Sequence, residues 1–167
     1  MVEYARERFI TVVPEIDVPG HSMALLTAYP EISCTGGPFH VNVGNTFYTK
    51  EENSLCVGKE KTFAILDMIF DELVDLFPSS YIHIGGDECY KGFWAKCPDC
   101  RARMSSKQLQ NVEELQSYFV KRVASHMQSK GKHVIGWDEI LEGGLAKDAI
   151  VMSWRGMKGG VEAARQG

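Results

Sequence analysis

Apolar residues follow two different periods along this chain, and the two periods alternate. Residues 59–77 and 111–129 carry apolar side chains at steps of three and four, which is the spacing of an amphipathic helix. Short apolar runs with the length and β-branched content of strands cover residues 9–17, 81–85, 133–137 and 149–154. The pattern therefore predicts strands that are separated by helices.

Local signals mark where the two long helices begin and end. Pro78 follows the first helix and stops it. Asn111 precedes the second helix, Glu114 completes a capping box, and Gly131 is suited to the C-terminal cap. The other segments are predicted as short helices at 21–29 and from Gly160, a long loop at 30–58, and an irregular stretch at 89–107.

The order of elements predicts an α/β fold. Alternation of strands and helices implies right-handed crossovers and a parallel sheet. The polar and aromatic residues of interest follow the strands, and active sites lie at this edge in both (β/α)₈ barrels and open α/β sheets. Four units correspond to half of a barrel, which usually takes about 250 residues.

Composition excludes several classes of function. The chain has 167 residues, 44% of them apolar and 24% charged, which suits one globular domain. With a net charge of −4 and scattered basic residues, nucleic-acid binding has no electrostatic support. No apolar run has the length of a membrane span, and the charged N-terminus does not have the pattern of a secretory signal.

The most informative segment is residues 81–88, where an apolar strand runs into two glycines and then two adjacent carboxylates. Gly85 and Gly86 leave room for a close approach to the backbone. Asp87 and Glu88 repel each other, and such a pair can hold one acid protonated beside one that is ionised. A turn with two solvated acids is the alternative interpretation.

The five cysteines leave several interpretations open. Cys97 and Cys100 form a C-x-x-C pair, with Cys89 upstream. A disulfide in this small loop or plain thiols are compatible with the spacing. A zinc site normally needs four ligands, and the sequence has no second C-x-x-C pair. A redox motif is expected directly after a strand, at the start of a helix.

Four motifs in sequence order resemble glycoside hydrolase family 20, in particular its bacterial β-N-acetylhexosaminidases. They are Pro14–His21, His83–Glu88, Gly136–Glu139 and Met152–Gly156. The resemblance implies a (β/α)₈ TIM barrel, of which residues 1–167 form a single partial catalytic domain with about strands three to six and no second domain. The chain is therefore expected to be an incomplete fragment of a larger enzyme.

The resemblance also implies a reaction. Members of the family remove terminal β-linked N-acetylglucosamine or N-acetylgalactosamine from glycans with retention, through an oxazolinium ion formed by the substrate's own acetamido group. No cofactor is implied. Glu88 matches the general acid/base, with a pKa expected to be raised by its neighbour's charge and by partial burial. Asp87 matches the residue that orients the acetamido group.

Other residues are assigned on the same resemblance. His21 matches a histidine that hydrogen-bonds the acid, although a capping role is the alternative. Asp17 is expected to order the Pro-Gly turn or to hold His21, and His83 to fill the barrel interior. Trp137 and Trp154 match walls of the acetamido pocket.

Trp94 and Arg155, in a loop and at a strand end, are not given a single role by the resemblance. Trp94 could border the leaving group or simply pack. Arg155 could pair with a carboxylate at the barrel mouth, and we assign it no role.

Two alternatives to this glycosidase stay open. A metal-dependent hydrolase could use as ligands Asp17, His21, His83, Asp87 and Glu88. A non-catalytic fragment could bind carbohydrate and self-associate through unpaired sheet edges. A periplasmic or extracellular location of the full-length protein follows only from the resemblance.

Overall fold

The computed structural model describes residues 1–41, 43 and 53–166 of the chain. A parallel sheet contains β1 (Tyr81–His83), β2 (His133–Trp137) and β3 (Ile150–Met152) in that order. The helices are α1 (Val2–Arg6), α2 (Met23–Ala28), α3 (Glu60–Leu76), α4 (Pro98–Lys107), α5 (Val112–Ser129) and α6 (Met157–Gln166). Single 3₁₀ turns cover Pro30–Ile32 and Asp138–Leu141.

Parallel pairing puts the ends of the strands at one edge of the sheet. Ile82 lies opposite Val134, and Trp137 lies opposite Met152. The α/β class and the parallel sheet are therefore confirmed. Crossovers through α5 and the 138–141 turn return each strand in the same direction, an arrangement consistent with part of a (β/α)₈ barrel.

The predicted strand at 9–17 is wrong in its extent. Only the segment from Pro14 to Val18 runs along β1, through an isolated parallel bridge between Glu15 and His83. The His83 N–H donates to the Pro14 carbonyl at 2.9 Å, and the Val18 N–H donates to the Ile84 carbonyl at 3.0 Å. Residues 7–9 form a turn instead, and Pro14 has no N–H for a continuous ladder.

The long helices are confirmed. The Asn111 side chain accepts from the Glu114 N–H at 2.8 Å, and Glu114 accepts from the Gln110 N–H at 2.8 Å. Gly131 has a φ of +72°, the left-handed conformation expected after a helix. Phe63 of α3 packs on Phe119 of α5 with ring centroids 5.8 Å apart. Of these two helices, α5 also packs against β2.

The prediction of an irregular stretch at 89–107 is wrong, because α4 occupies its second half. Only Cys100 of this helix is buried, so the sequence carries no apolar period there. The last helix begins at Met157 rather than Gly160. Within the predicted loop at 30–58, residue 42 and residues 44–52 lie outside the described residues.

Trp94 belongs to the core. Its side chain is fully buried, and its indole N–H donates to the Leu55 carbonyl at 2.9 Å. Packing is therefore its role here, not a border with the leaving group. Among the residues described, no helix combines the length and the apolar character that crossing a membrane requires.

Candidate active site

The end of β1 is shaped by two glycines. Gly85 and Gly86 have φ values of +68° and +94°, which side chains rarely adopt. A Cβ on Gly85 would lie 1.8 Å from the Asp17 Oδ1 atom, so only glycine fits. The Gly86 N–H donates to the same oxygen at 3.2 Å. The glycines thus let the 14–18 segment bring Asp17 against the strand end.

His21 lies between the acids. Its Nε2 atom is 3.5 Å from Asp87 Oδ2, 3.5 Å from Glu88 Oε2 and 4.0 Å from Asp17 Oδ2. A positive φ of 47° at His21, next to the Pro19-Gly20 turn, aims the ring at the strand end. The structure therefore brings together four of the residues that the sequence singles out.

The two adjacent acids differ in exposure. The side chain of Asp87 is 16% exposed, whereas that of Glu88 is 52% exposed. The expected partial burial of Glu88 is therefore wrong for this chain: a φ of +46° turns Glu88 outward, away from the packed strand. Asp87 Oδ1 is buried and has no hydrogen-bond partner within the described part of the chain.

The Asp17 carboxyl group has a raised pKa. Burial, followed by the negative charge of Asp87, raises the pKa of Asp17 to about 8. At neutral pH Asp17 therefore holds its proton, which removes one negative charge from a crowded cluster. The proton in this cluster is thus placed on Asp17.

His83 lies behind the acids. The ring is buried, its Nδ1 atom accepts from the Gly85 N–H at 3.1 Å, and burial lowers its pKa. The Trp137 ring covers it, with centroids 4.8 Å apart. His83 therefore occupies the interior as an uncharged ring beneath Trp137.

A second acid pair follows β2, and sequence reasoning gave it no role. Asp138 accepts from the Arg155 Nε–H at 3.2 Å, and Glu139 accepts from the Trp154 indole N–H at 3.0 Å. Trp154 itself is 50% exposed. The available signal was the repetition of Asp-Glu after two neighbouring strands. Arg155 pairs with carboxylates here, as the sequence allowed.

A surface cavity lies apart from the first acid pair. A cavity of about 430 Å³ lies between the 138–141 turn and α6. Its lining residues are Asp138, Leu141, Glu142, Arg155, Lys158, Gly159 and Glu162. Because Asp87 and Glu88 do not line it, we place the candidate chemistry at the end of β1, where the acids and His21 converge.

Three of the site residues could hold a cation. Asp17, His21 and Asp87 each offer a ligand atom, and these atoms lie within 4.8 Å of one another. His83 and Glu88 do not join this group, so the five-ligand set of the metal hypothesis is reduced to three among the described residues.

Comparison with known families decides the relationship. The model of the glycosyl hydrolase family 20 catalytic domain matches residues 1–167. The chain belongs to this family. It is 49% identical over 164 residues to a β-hexosaminidase of Porphyromonas gingivalis. This alignment covers 98% of this chain and 21% of the P. gingivalis protein.

Solved structures of the family share the fold. A β-N-acetylhexosaminidase from Bacteroides fragilis superposes with a TM-score of 0.86 at 37% identity, over 99% of this chain and 33% of that one. An exo β-N-acetylglucosaminidase from Vibrio harveyi, solved in complex with N-acetylglucosamine, superposes with a TM-score of 0.84 at 30% identity. The superposition covers 99% of this chain and 26% of the V. harveyi chain. The chain thus spans between a fifth and a third of these relatives.

Proposed function

We propose that this chain carries the acid/base part of a β-N-acetylhexosaminidase active site. The observation that carries the proposal is the buried Oδ1 atom of Asp87, an acceptor that has no hydrogen-bond partner in the described structure. A buried acceptor without a donor is costly, so a ligand that supplies an N–H is favoured there. The 2-acetamido N–H of an N-acetylhexosamine is such a donor.

The arrangement suits a substrate-assisted, retaining mechanism. Asp87 accepts the acetamido N–H and holds the acetamido oxygen beneath the anomeric carbon, where this oxygen attacks and forms an oxazolinium ion. Glu88 donates its proton to the leaving glycosidic oxygen. In the second step Glu88 takes a proton from water as the water opens the oxazolinium ion. Its exposed side chain leaves room for a sugar beside it.

The other residues have supporting roles in this proposal. His21 contacts both acids and can hydrogen-bond either carboxylate. Asp17 keeps its proton and so limits the negative charge next to Asp87. Trp137 and Trp154 present apolar ring faces to the acetamido methyl group and the sugar.

Turnover requires more of the barrel than this chain contributes. The relatives are three to five times longer, and the sheet of the described residues has three strands. We propose that the chain is a fragment whose remaining pocket walls come from the rest of a complete barrel. By itself the chain is expected to self-associate through its sheet edges. Export to the periplasm or beyond remains a prediction from the resemblance.

The test compares the chain with a chimera. In the chimera, these 167 residues replace the matching segment of the P. gingivalis β-hexosaminidase. We expect the chimera to release the aryl group from an aryl N-acetyl-β-glucosaminide, and the chain alone to show none. An aryl β-glucoside without the acetamido group should not be cleaved, because it lacks the internal nucleophile and the N–H donor. Equal cleavage of both substrates would contradict the mechanism.

A metal-dependent hydrolase is the second candidate, favoured by the mutual closeness of Asp17, His21 and Asp87. Dialysis of the chimera against a chelator separates the two candidates. Unchanged kcat with a folded protein supports the glycosidase mechanism, whereas loss of kcat that divalent cations restore, with the melting temperature unchanged throughout, supports the metal mechanism.

A further inference from the structure

Four of the five cysteines converge at one place in the fold. Their sulfur atoms all lie within 4.8 Å of one another, and they belong to Cys34, Cys56, Cys97 and Cys100. The Sγ–Sγ distances are 3.6 Å from Cys56 to Cys100, 3.7 Å from Cys56 to Cys97 and 3.9 Å from Cys34 to Cys100. None of the five cysteines forms a disulfide. The sulfurs come from three separate segments of the chain.

These distances match a tetrahedral metal site. Four sulfurs bound to one zinc ion at the usual distance of about 2.3 Å lie about 3.8 Å from each other. A disulfide would bring two sulfurs to about 2.05 Å and leave the others apart. A tetrahedral group of four sulfurs is typical of zinc, or of iron–sulfur chemistry. An iron–sulfur cluster with several irons would hold its cysteines farther apart.

The surroundings form a closed site. Cys56, Cys97 and Cys100 are buried. Cys97 and Cys100 lie at the first turn of α4, where the positive end of the helix stabilises negative sulfur. The backbone N–H of Gly58 donates a hydrogen bond to Cys56. Such donors to metal-bound sulfur are common around metal ligands.

The backbone is fitted closely around the cluster. A Cβ on Gly58 would lie 2.2 Å from the carbonyl carbon of Asp99, so the 56–58 segment rests directly on the start of α4. This close approach brings Cys56 to the C-x-x-C pair. The 3₁₀ turn at Pro30–Ile32 then delivers Cys34, and the Cys56 N–H donates to the Ile32 carbonyl at 2.8 Å.

We propose that these four cysteines form a structural Zn²⁺ site. Zinc binds as each thiol gives its proton to solvent, so four thiolates and one Zn²⁺ leave a net charge of −2 with no change of oxidation state. All four positions are taken by protein ligands, and the site is therefore structural, without an open position for a substrate. No second C-x-x-C pair is needed, because the other two ligands come from distant loops.

The site is placed to support the candidate active site. Residues 53–57 contact both loops of the active site, the turn around His21 and the loop after Glu88. The Asn53 carbonyl accepts from the Ser22 N–H at 2.9 Å, and the Ser54 hydroxyl donates to the Tyr90 carbonyl at 3.2 Å. The Leu55 N–H also donates to the Pro19 carbonyl at 2.8 Å. A metal bound to Cys56 thus fixes the segment that joins the His21 turn to the loop after Glu88.

The direct test is the metal content of the 167-residue chain, and of the chimera, purified without chelators. We expect one zinc per chain by elemental mass spectrometry, and X-ray absorption at the zinc edge with four sulfur neighbours. Replacement by Co²⁺ should give the visible bands of a tetrahedral tetrathiolate. This readout is independent of glycosidase activity, so failure of the glycosidase proposal would leave it intact.

Cysteine variants supply the matched controls. Cys56→Ser and Cys97→Ser should each lose stoichiometric zinc and lower the melting temperature. Cys89→Ser, whose sulfur lies 3.5 Å from the Ser54 hydroxyl and outside the cluster, should keep zinc. Should a variant fail to fold, the metal content of the unaltered protein still decides. Protein without bound metal, a Cys97–Cys100 disulfide in the purified protein, or zinc loss in Cys89→Ser equal to that in Cys56→Ser would each overturn the proposal.

Discussion

Two Asp-Glu pairs follow neighbouring parallel strands in this molecule, and their surroundings are opposite. After β2, the side chains of Asp138 and Glu139 are 5% and 9% exposed, and the Arg155 guanidinium lies 3.2 Å and 3.6 Å from them. After β1, Asp87 and Glu88 have His21 as the nearby basic group among the described residues. The same dipeptide at the same edge of the sheet therefore meets a fixed cation in one case and an imidazole in the other.

The difference shows how neighbours decide the chemistry of a carboxylate. A buried acid beside a guanidinium has a fixed cation to pair with, and loss of that cation is costly. Asp17, which is buried and faces another acid, has a raised pKa and holds a proton. The pair after β1 is thus suited to proton transfer, and the pair after β2 to positioning Trp154 and Arg155.

The largest effect is expected from Glu88→Gln in the chimera. Removal of a general acid/base lowers the rate by about 10² to 10⁴-fold, or about 3 to 5 kcal/mol in the activation free energy. Steady-state kcat/KM on an N-acetyl-β-glucosaminide with a poor leaving group is the measurement. Glu72→Gln, the same change at an exposed position of α3, should keep wild-type activity. Retained activity in Glu88→Gln would remove the basis for distinguishing the two pairs.

The pH dependence of stability should reveal the proton held by Asp17. Between the ordinary pKa of 3.8 and about 8, folded Asp17 holds a proton that the unfolded chain has lost. The free energy of unfolding therefore falls as pH rises through this window, by up to about 1.4 kcal/mol per pH unit, and the contribution is flat outside it. Asp17→Asn should remove this slope in chemical denaturation of the chimera from pH 4 to pH 9.

A second variant sharpens the same measurement. Asp87→Asn removes a charge that raises the pKa of Asp17, so this pKa should fall but stay above its ordinary value because of burial. The decrease of the unfolding free energy with pH should therefore end at a lower pH than in the wild type. Identical pH profiles for wild type and Asp17→Asn would show that Asp17 is ionised in the folded protein.

Arg155→Met should test the pair after β2. The change leaves Asp138 and Glu139 without their cation, at a cost of about 1 to 3 kcal/mol in stability, which thermal unfolding of the chimera would detect. Arg165→Met is the matched control, because Arg165 forms an exposed ion pair with Glu162 at 3.8 Å and should contribute less than about 0.5 kcal/mol. Equal effects of the two changes would argue against a structural role for the second pair.

The smallest effect is expected from Trp154→Phe. The ring face remains, but Glu139 loses the indole N–H donor at 3.0 Å, which is worth about 1 kcal/mol at a half-exposed position. Melting temperature reports the loss, and KM in the chimera should change little. Trp154→Ala removes the ring face as well and should raise KM further. An unchanged KM in Trp154→Ala would take Trp154 out of the substrate pocket.

Sequence reasoning was most successful where the signal is local. The spacing of apolar residues and the capping residues predicted α3 and α5. The glycines after β1 predicted that another group approaches the backbone closely there, and Asp17 is that group. It failed for α4, where a polar surface carries no apolar period, and for the 9–13 segment, where β-branched residues form no ladder. It also expected Glu88 to be partly buried, whereas the path of the backbone beyond the strand leaves that side chain 52% exposed.

The sequence by itself determined the family, the alternation of strands and helices, and the residues Asp87, Glu88 and His21, because short motifs and local periods record them. Only the tertiary structure decided which carboxyl group keeps its proton and which acid pair is neutralised by Arg155. It alone brought Cys34 and Cys56 to Cys97 and Cys100. Contacts between residues that are distant along the chain are set by packing, and they cannot be predicted from composition or from the spacing of residues.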